Sequence, residues 1–193
     1  MPIEIHAATT DRWDDVVTVF GRRGENPSWC WCRLFLTSPD VEVSVQETDN
    51  REALRQEIVA ASTPPGLLAY VDGHPVGWTR VGPRSDFPRL RANKALRRVL
   101  SDESGVWWVT CFAVDSNVRR SGVGAALLNG AIKFARDHGA VALEGHPVDV
   151  AGLRTAKVSG SAIFTGTLAM FSSAGFIEVA RTFPTRPVMR LKL

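Results

Sequence analysis

Hydrophobic and polar positions along the chain switch between strand-like and helix-like spacing, and the switches lay out the elements. Residues 3–7 read as a first strand, and Thr10 caps a short helix over 11–20, with acids in its first turn and Gly21 as its stop. Residues 24–45, which contain WCWCRLFL, show no clear period and predict no element. Asp49 with Glu52 forms a capping-box pattern for a helix through Ala61, which Pro64 and Pro65 shut off. A hairpin follows, 67–71 and 75–81 around Asp72-Gly73. Residues 106–114 (VWWVTCFAV) are almost wholly apolar, as in a central strand covered on both faces. Helical spacing returns over 122–138 until Gly139. A strand over 140–145, a loop over 151–160, a helix over about 167–174 and strands over 176–181 and 188–193 complete the chain. The order predicts one α/β (α+β) domain over residues 1–193: a mixed, mostly antiparallel sheet of about six to seven strands, flanked by helices.

Composition narrows the class. Apolar residues make up 45% and charged residues 22% of the 193, ordinary globular usage. No apolar run approaches the roughly 20 residues of a membrane helix, so no membrane partner is expected. Acids stand near the N-terminus where a signal peptide would be basic, so the expected location is cytoplasmic. The net charge of +3 includes a basic run, Arg84, Arg89, Arg91, Lys94, Arg97 and Arg98. The run reads first as a solvated face and second as a contact for a phosphate or an anionic substrate. Without interleaved aromatics it does not read as a nucleic-acid surface. Cys30, Cys32 and Cys111 are an odd set, expected as free thiols, with Cys111 a structural one in its strand. Cys30-Trp31-Cys32 has no second pair for zinc, so no metal is expected.

The chemistry lies in CFAVDSNVRRSGVGAALL, where the central strand ends and a helix begins. Gly122 and Gly124 clear side chains from the helix's first turn. Its backbone N–H groups can then face an anion, with the helix dipole and the charges of Arg119 and Arg120 behind them. The pattern suits a pyrophosphate; a glycine-rich turn packed against the sheet is the plainer reading. It is not a dinucleotide fingerprint, which needs a third glycine, nor a Walker A loop, which needs Gly-Lys-Ser/Thr.

Val114-Asp115 followed by Arg119-x-x-Gly122-x-Gly124 resembles the acetyl-CoA signature of the GNAT-superfamily N-acetyltransferases. Phe171-Ser-Ser-Ala-Gly175-Phe176 is similar to that family's later motif. The resemblance implies a GNAT-like sheet in which the strand over 106–114 splays from a parallel neighbour over 140–145. Acetyl-CoA, the acyl donor, would lie in that gap. Its arm would pair with the backbone of Phe112, Ala113 and Val114, and its pyrophosphate would rest on Arg119, Arg120, Ser121, Gly122, Val123, Gly124 and Ala125. The family's usual strand-base positions fall on Trp108 and Thr110, and its general-acid Tyr position on Phe171; these three are expected to line the acceptor pocket instead. The nearest candidates for proton transfer are then Glu144 and His146, which share a face beside the gap; an ion pair between Glu144 and one of the many arginines is the reading set against catalysis, and the favoured one. The implied function is transfer of an acetyl group to a primary amine of a small molecule or protein within a ternary complex. An acyl-CoA-binding sensor with little turnover is the alternative, and a homodimer is compatible with either.

Overall fold

The computed structural model of the protein describes residues 2–24, 30–36, 49–153 and 163–193. Trp29, most of the patternless stretch 24–45 and most of the loop expected over 151–160 lie outside them. The strands are β1 (Ile3–Ala7), β2 (Gly66–Val71), β3 (His74–Pro83), β4 (Val106–Val114), β5 (Ala142–Gly145), β6 (Ile177–Phe183) and β7 (Arg186–Lys192). The helices are α1 (Trp13–Gly24), α2 (Asn50–Ala60), α3 (Pro88–Ala92), α4 (Lys94–Arg97), α5 (Val123–Asp137) and α6 (Leu168–Ser173). The seven strands form one sheet in the order β1-β2-β3-β4-β5-β7-β6. Every neighbouring pair is antiparallel except β4–β5. The expected mixed, mostly antiparallel sheet with one parallel pair is what the chain forms.

Local chemistry sets most of the boundaries. The Asp49 carboxylate accepts the Glu52 N–H at 2.9 Å, one half of the capping box; the Glu52 side chain turns instead to Gln56. Gly21 leaves helical geometry at φ 54°, where the helix was expected to stop. The basic run becomes two short helices: Pro88 opens α3, and the Asn93 side chain accepts two N–H groups at the start of α4.

The sheet is covered on both sides. On one face α5 contributes Val123, Leu127, Leu128, Ala131 and Ala135 against Trp107, Val109, Leu143 and Met189. On the other, α1, α2 and the segment around Trp31 bury Leu68, Tyr70, Trp78 and Cys111. α3 and α4 cover Trp108 and Val188 on that same side. Trp107 and Trp108 therefore point to opposite faces, and both are core residues.

Strand β4 contains the irregularity on which the site depends. Val109 and Phe112 both pack toward α5, although residues three apart in a regular strand face opposite ways. Pairing with β3 jumps from Arg80↔Thr110 to Trp78↔Ala113, so Thr79 opposes two residues, and Cys111 takes up the slack at φ +59°. This is a β-bulge, which bends and twists the strand that carries it. β4 and β5 pair only over Val106↔Ala142, Trp107↔Leu143 and Trp108↔Glu144; beyond that they diverge.

The bulge also overturns the expectation of three free thiols. Cys32 and Cys111 are joined by a disulfide, with Cα atoms 5.9 Å apart, and only Cys30, exposed, is free. An odd count excludes complete pairing but not one bridge. Burial of Trp31 against Phe20 and Trp13 lays Cys32 directly over the bulge. Denatured protein that has never met reductant is expected to titrate one thiol per chain; three would show that the bridge does not form. Cys32→Ser is expected to lower unfolding stability by about 2–4 kcal/mol, because the bridge closes a long loop.

Candidate functional site

The start of α5 leaves its first backbone N–H groups open. Gly122, its N-cap, sits at φ +91°, a conformation that favours glycine, and no side chain caps the helix. The first intrahelical bond in this turn runs from the Ala126 N–H to the Gly122 carbonyl. The N–H groups of Val123, Gly124 and Ala125 thus have no carbonyl one turn back to receive them. Arg120 is also left-handed, at φ +66°, so the preceding turn curls its backbone around the same point. Arg119, Arg120, Ser121 and Gly122 are all exposed. The residues expected to hold a pyrophosphate are therefore contiguous, cationic and open, and they fit such a group.

The gap between β4 and β5 opens beside this cradle. Asp115 donates to the Val76 carbonyl at 2.9 Å, and by antiparallel alternation Ala113, opposite Trp78, also turns its backbone groups to β3. Phe112 and Val114 turn theirs into the gap. The chain itself enters there: the Phe112 N–H donates to the Phe164 carbonyl at 2.6 Å. Two residues on, the Gly166 carbonyl accepts the Val148 N–H, and Thr167 pairs parallel with Val148. Residues 163–167 thus bridge the two diverging strands. Of the three backbones expected to meet an arm, Val114 is turned to the gap and free of β3, Phe112 is turned to it but engaged, and Ala113 belongs to β3.

Phe171 closes the gap from the α5 side. Its ring lies on Gly145, where an added Cβ would stand 2.5 Å from it, and meets Phe112 and Phe176 edge-on. Trp108 and Thr110 lie on the opposite face, so the three residues expected to line an acceptor pocket are not brought together. All three are buried, and the Thr110 hydroxyl has no hydrogen-bond partner among the described residues.

Glu144 and His146 do share a face, and both are occupied. Glu144, 2% exposed, receives Arg84 at 2.7 Å and Arg190, its cross-strand neighbour on β7, at 2.9 Å. Arg190 also pairs with Glu103. Two charge-assisted bonds offset the desolvation of this carboxylate and fix it in place. The Thr182 hydroxyl donates to the Arg186 carbonyl, so it accepts the His146 Nε2–H at 2.8 Å. Nδ1 of His146 then accepts Nη2 of Arg186 at 3.3 Å. Burial first, and the Arg186 charge second, push the imidazole pKa down to about 4, so the ring is neutral at pH 7. Asp149 is held below the usual carboxylate range by Arg181 and the Gly152 N–H. Arg84, placed by sequence on a basic surface run, is an internal partner. Its role, like those of Phe164 and Arg190, could be read only with the strand register in hand.

Comparison with known proteins agrees with this fold. Residues 29–157 match the model of the acetyltransferase (GNAT) family, a span of more than half the chain. The chain belongs to the GNAT acetyltransferase family. Solved GNAT structures share its fold. A ribosomal-protein-alanine N-acetyltransferase from Brucella melitensis is 21% identical with a TM-score of 0.53, over 98% of this chain and 99% of that one. The PaiA N-acetyltransferase from Thermoplasma acidophilum, in complex with coenzyme A, is 16% identical with a TM-score of 0.55 over the whole of both chains. The GNAT domain of S. lividans PAT is 14% identical with a TM-score of 0.56, over 99% and 90%. No functionally curated protein matches the sequence at a significant level.

In this GNAT chain the ion pairs around Glu144 are expected to hold the fold. Glu144→Gln leaves Arg84 without a carboxylate partner and Arg190 with Glu103 alone, and is expected to cost about 3–5 kcal/mol in urea unfolding; an unchanged midpoint would contradict the pairing. His146 sets an acid limit. The unfolded chain binds its proton near pH 6.5 and the folded chain only near 4, so stability present above 6.5 is lost as pH falls toward 4. His146→Gln is expected to flatten that slope, read as melting temperature against pH.

Proposed function

We propose that this protein transfers an acetyl group from acetyl-CoA to a primary amine by direct attack in a ternary complex. The observation that carries the reading is the uncapped start of α5, with Gly122 left-handed and Arg119 and Arg120 beside it, opening onto the β4–β5 gap. Acetyl-CoA supplies an activated thioester. The N–H groups of Val123, Gly124 and Ala125 would hold its pyrophosphate, with charge from Arg119 and Arg120. Val114 would pair with its arm, and withdrawal of the Phe164 carbonyl would free the Phe112 N–H as an oxyanion donor.

Proton removal has no vacant acceptor in Glu144, which is held by two arginines, or in His146, both of whose nitrogens are engaged. We assign both a supporting role, with the amine reaching the thioester as its free base. kcat/KM is then expected to rise about tenfold per pH unit until the pKa of the amine itself. A bell whose acid limb is independent of the amine used would restore a protein base.

One observation favours a second reading, an acyl-CoA sensor with little turnover: the Phe164 carbonyl already occupies the Phe112 N–H. Two measurements separate the readings. Acetyl-CoA is expected to raise the melting temperature of the wild-type protein, and Gly122→Asp, which sets a carboxylate in the cradle, is expected to abolish that shift. A shift retained in the variant would remove the cradle from the account. Release of free thiol from acetyl-CoA in the presence of amines indicates transfer; a thermal shift with no release from any amine indicates the sensor.

A further inference from the structure

Among the described residues, Arg186 is a guanidinium withdrawn from water that lacks what Arg80, Arg84 and Arg190 have. Arg80 lies against Glu57 at 2.6 Å, and Arg84 and Arg190 against Glu144. Arg33 also reaches Glu57, and Arg181 pairs with Glu178 and Asp149. Arg186, half-buried at the start of β7, has no carboxylate among the described residues. Its guanidinium donates Nη1 to the Thr165 hydroxyl at 3.2 Å and Nη2 to Nδ1 of His146 at 3.3 Å. Both partners are neutral, and burial alone shifts its pKa downward. A guanidinium withdrawn from water without a counter-charge is an unfavourable arrangement that a bound anion would relieve.

The position of Arg186 distinguishes between sources of that anion. Val188 and Ala180 pack beneath α3 and α4, on the face opposite α5, and Met189 packs toward α5. By period two, Arg186 and its neighbour Thr182 share the face of Val188 and Ala180, and His146 shares that of Glu144, whose partner Arg190 is also on this side. The pyrophosphate cradle belongs to the α5 face. Arg186 also touches Thr165, next to Phe164, which sits on the Phe112 amide in the gap. It therefore stands beside the point where the strands part, on the side away from the cofactor's phosphates. An amine that approaches the gap from that side would meet Arg186.

We propose that Arg186 anchors a carboxylate on the acceptor, so that the substrate is an amine that also bears a carboxylate, of amino-acid or short-peptide type. This rests on the transferase reading for its chemistry and on the unpaired guanidinium for its specificity. Positioning by such a bond would act mainly through KM.

The test compares free amino acids with their amides, over apolar, polar and basic side chains, in thiol release from acetyl-CoA. The carboxylate member of each productive pair is expected to have a kcat/KM at least tenfold higher, with the difference in KM. Arg186→Gln is expected to bring the ratio close to one, and Arg186→Lys to restore part of it. Ratios near one in the wild-type protein would overturn the proposal. So would Arg186→Gln lowering both members equally alongside a fall in melting temperature. Should no amine release thiol, the transferase reading fails, and the carboxylate site is then read by binding alone. In the presence of CoA, N-acetylated amino acids are expected to bind the wild-type protein at least tenfold more tightly than their amides, and Arg186→Gln to lose that preference. Equal binding of acid and amide would overturn the site.

Discussion

One extra residue in β4 makes the rest of the site possible. A regular β4 would keep pairing with β5, and the sheet would run closed from edge to edge. The bulge at Cys111 twists the strand after three paired residues, turns Phe112 and Val114 into the space that opens, and delivers the chain to the start of α5. A non-glycine residue with positive φ costs about 1–2 kcal/mol. The surroundings over-determine it here: the Cys32 bridge, the Trp31 cluster and pairing with β3 on either side. A gap between parallel strands exposes backbone donors that must find partners, from the chain or from a ligand. Phe164 and Val148 show the chain meeting that demand internally through residues 163–167.

Charge is distributed by the same logic. The face opposite α5 carries guanidiniums deep in the fold, and each is tolerated where a carboxylate meets it: Glu57 for Arg80, Glu144 for Arg84 and Arg190. Those pairs tie α2 to β3, and the segment after β3 to β5 and β7, so they stabilise the walls of the gap and leave its chemistry to backbone groups. His146 and Arg186 stand at the edge of this network, where the neutral imidazole accepts from the cation and no carboxylate among the described residues meets the charge. With Glu144 and His146 both engaged, orientation and backbone donors are what the described residues around the gap can offer.

Much of this was legible in the residues. The apolar run VWWVTCFAV identified β4, and the Arg119-x-x-Gly122-x-Gly124 spacing marked the left-handed, uncapped start of α5, because helix termini and glycine obey local rules. What failed to show depends on register. That Glu144 would pair with an arginine was legible, but which ones was not until Arg190 was placed opposite it on β7 and Arg84 just past the end of β3. Phe171 reads as a pocket residue until Gly145 is placed under its ring. Cys32 and Cys111, 79 positions apart, read as free thiols because only the bulge and the burial of Trp31 bring them together. Long-range pairing carries no local signal, so the strand–turn–helix unit from β4 to α5 was readable, and the contacts assembled from separate segments around Glu144, His146 and Phe171 were not.

The central claim is that the bulged end of β4 and the start of α5 together form one acyl-CoA site. Titration of amide-labelled protein with coenzyme A, followed residue by residue in two-dimensional NMR spectra, tests it most directly. The amides of Phe112, Val114, Val123, Gly124 and Ala125 are expected to shift together with a single affinity, and those of residues 163–167 to shift with them as the Phe164 carbonyl leaves Phe112. Shifts confined to the basic helices α3 and α4, with β4 and α5 unmoved, would contradict it.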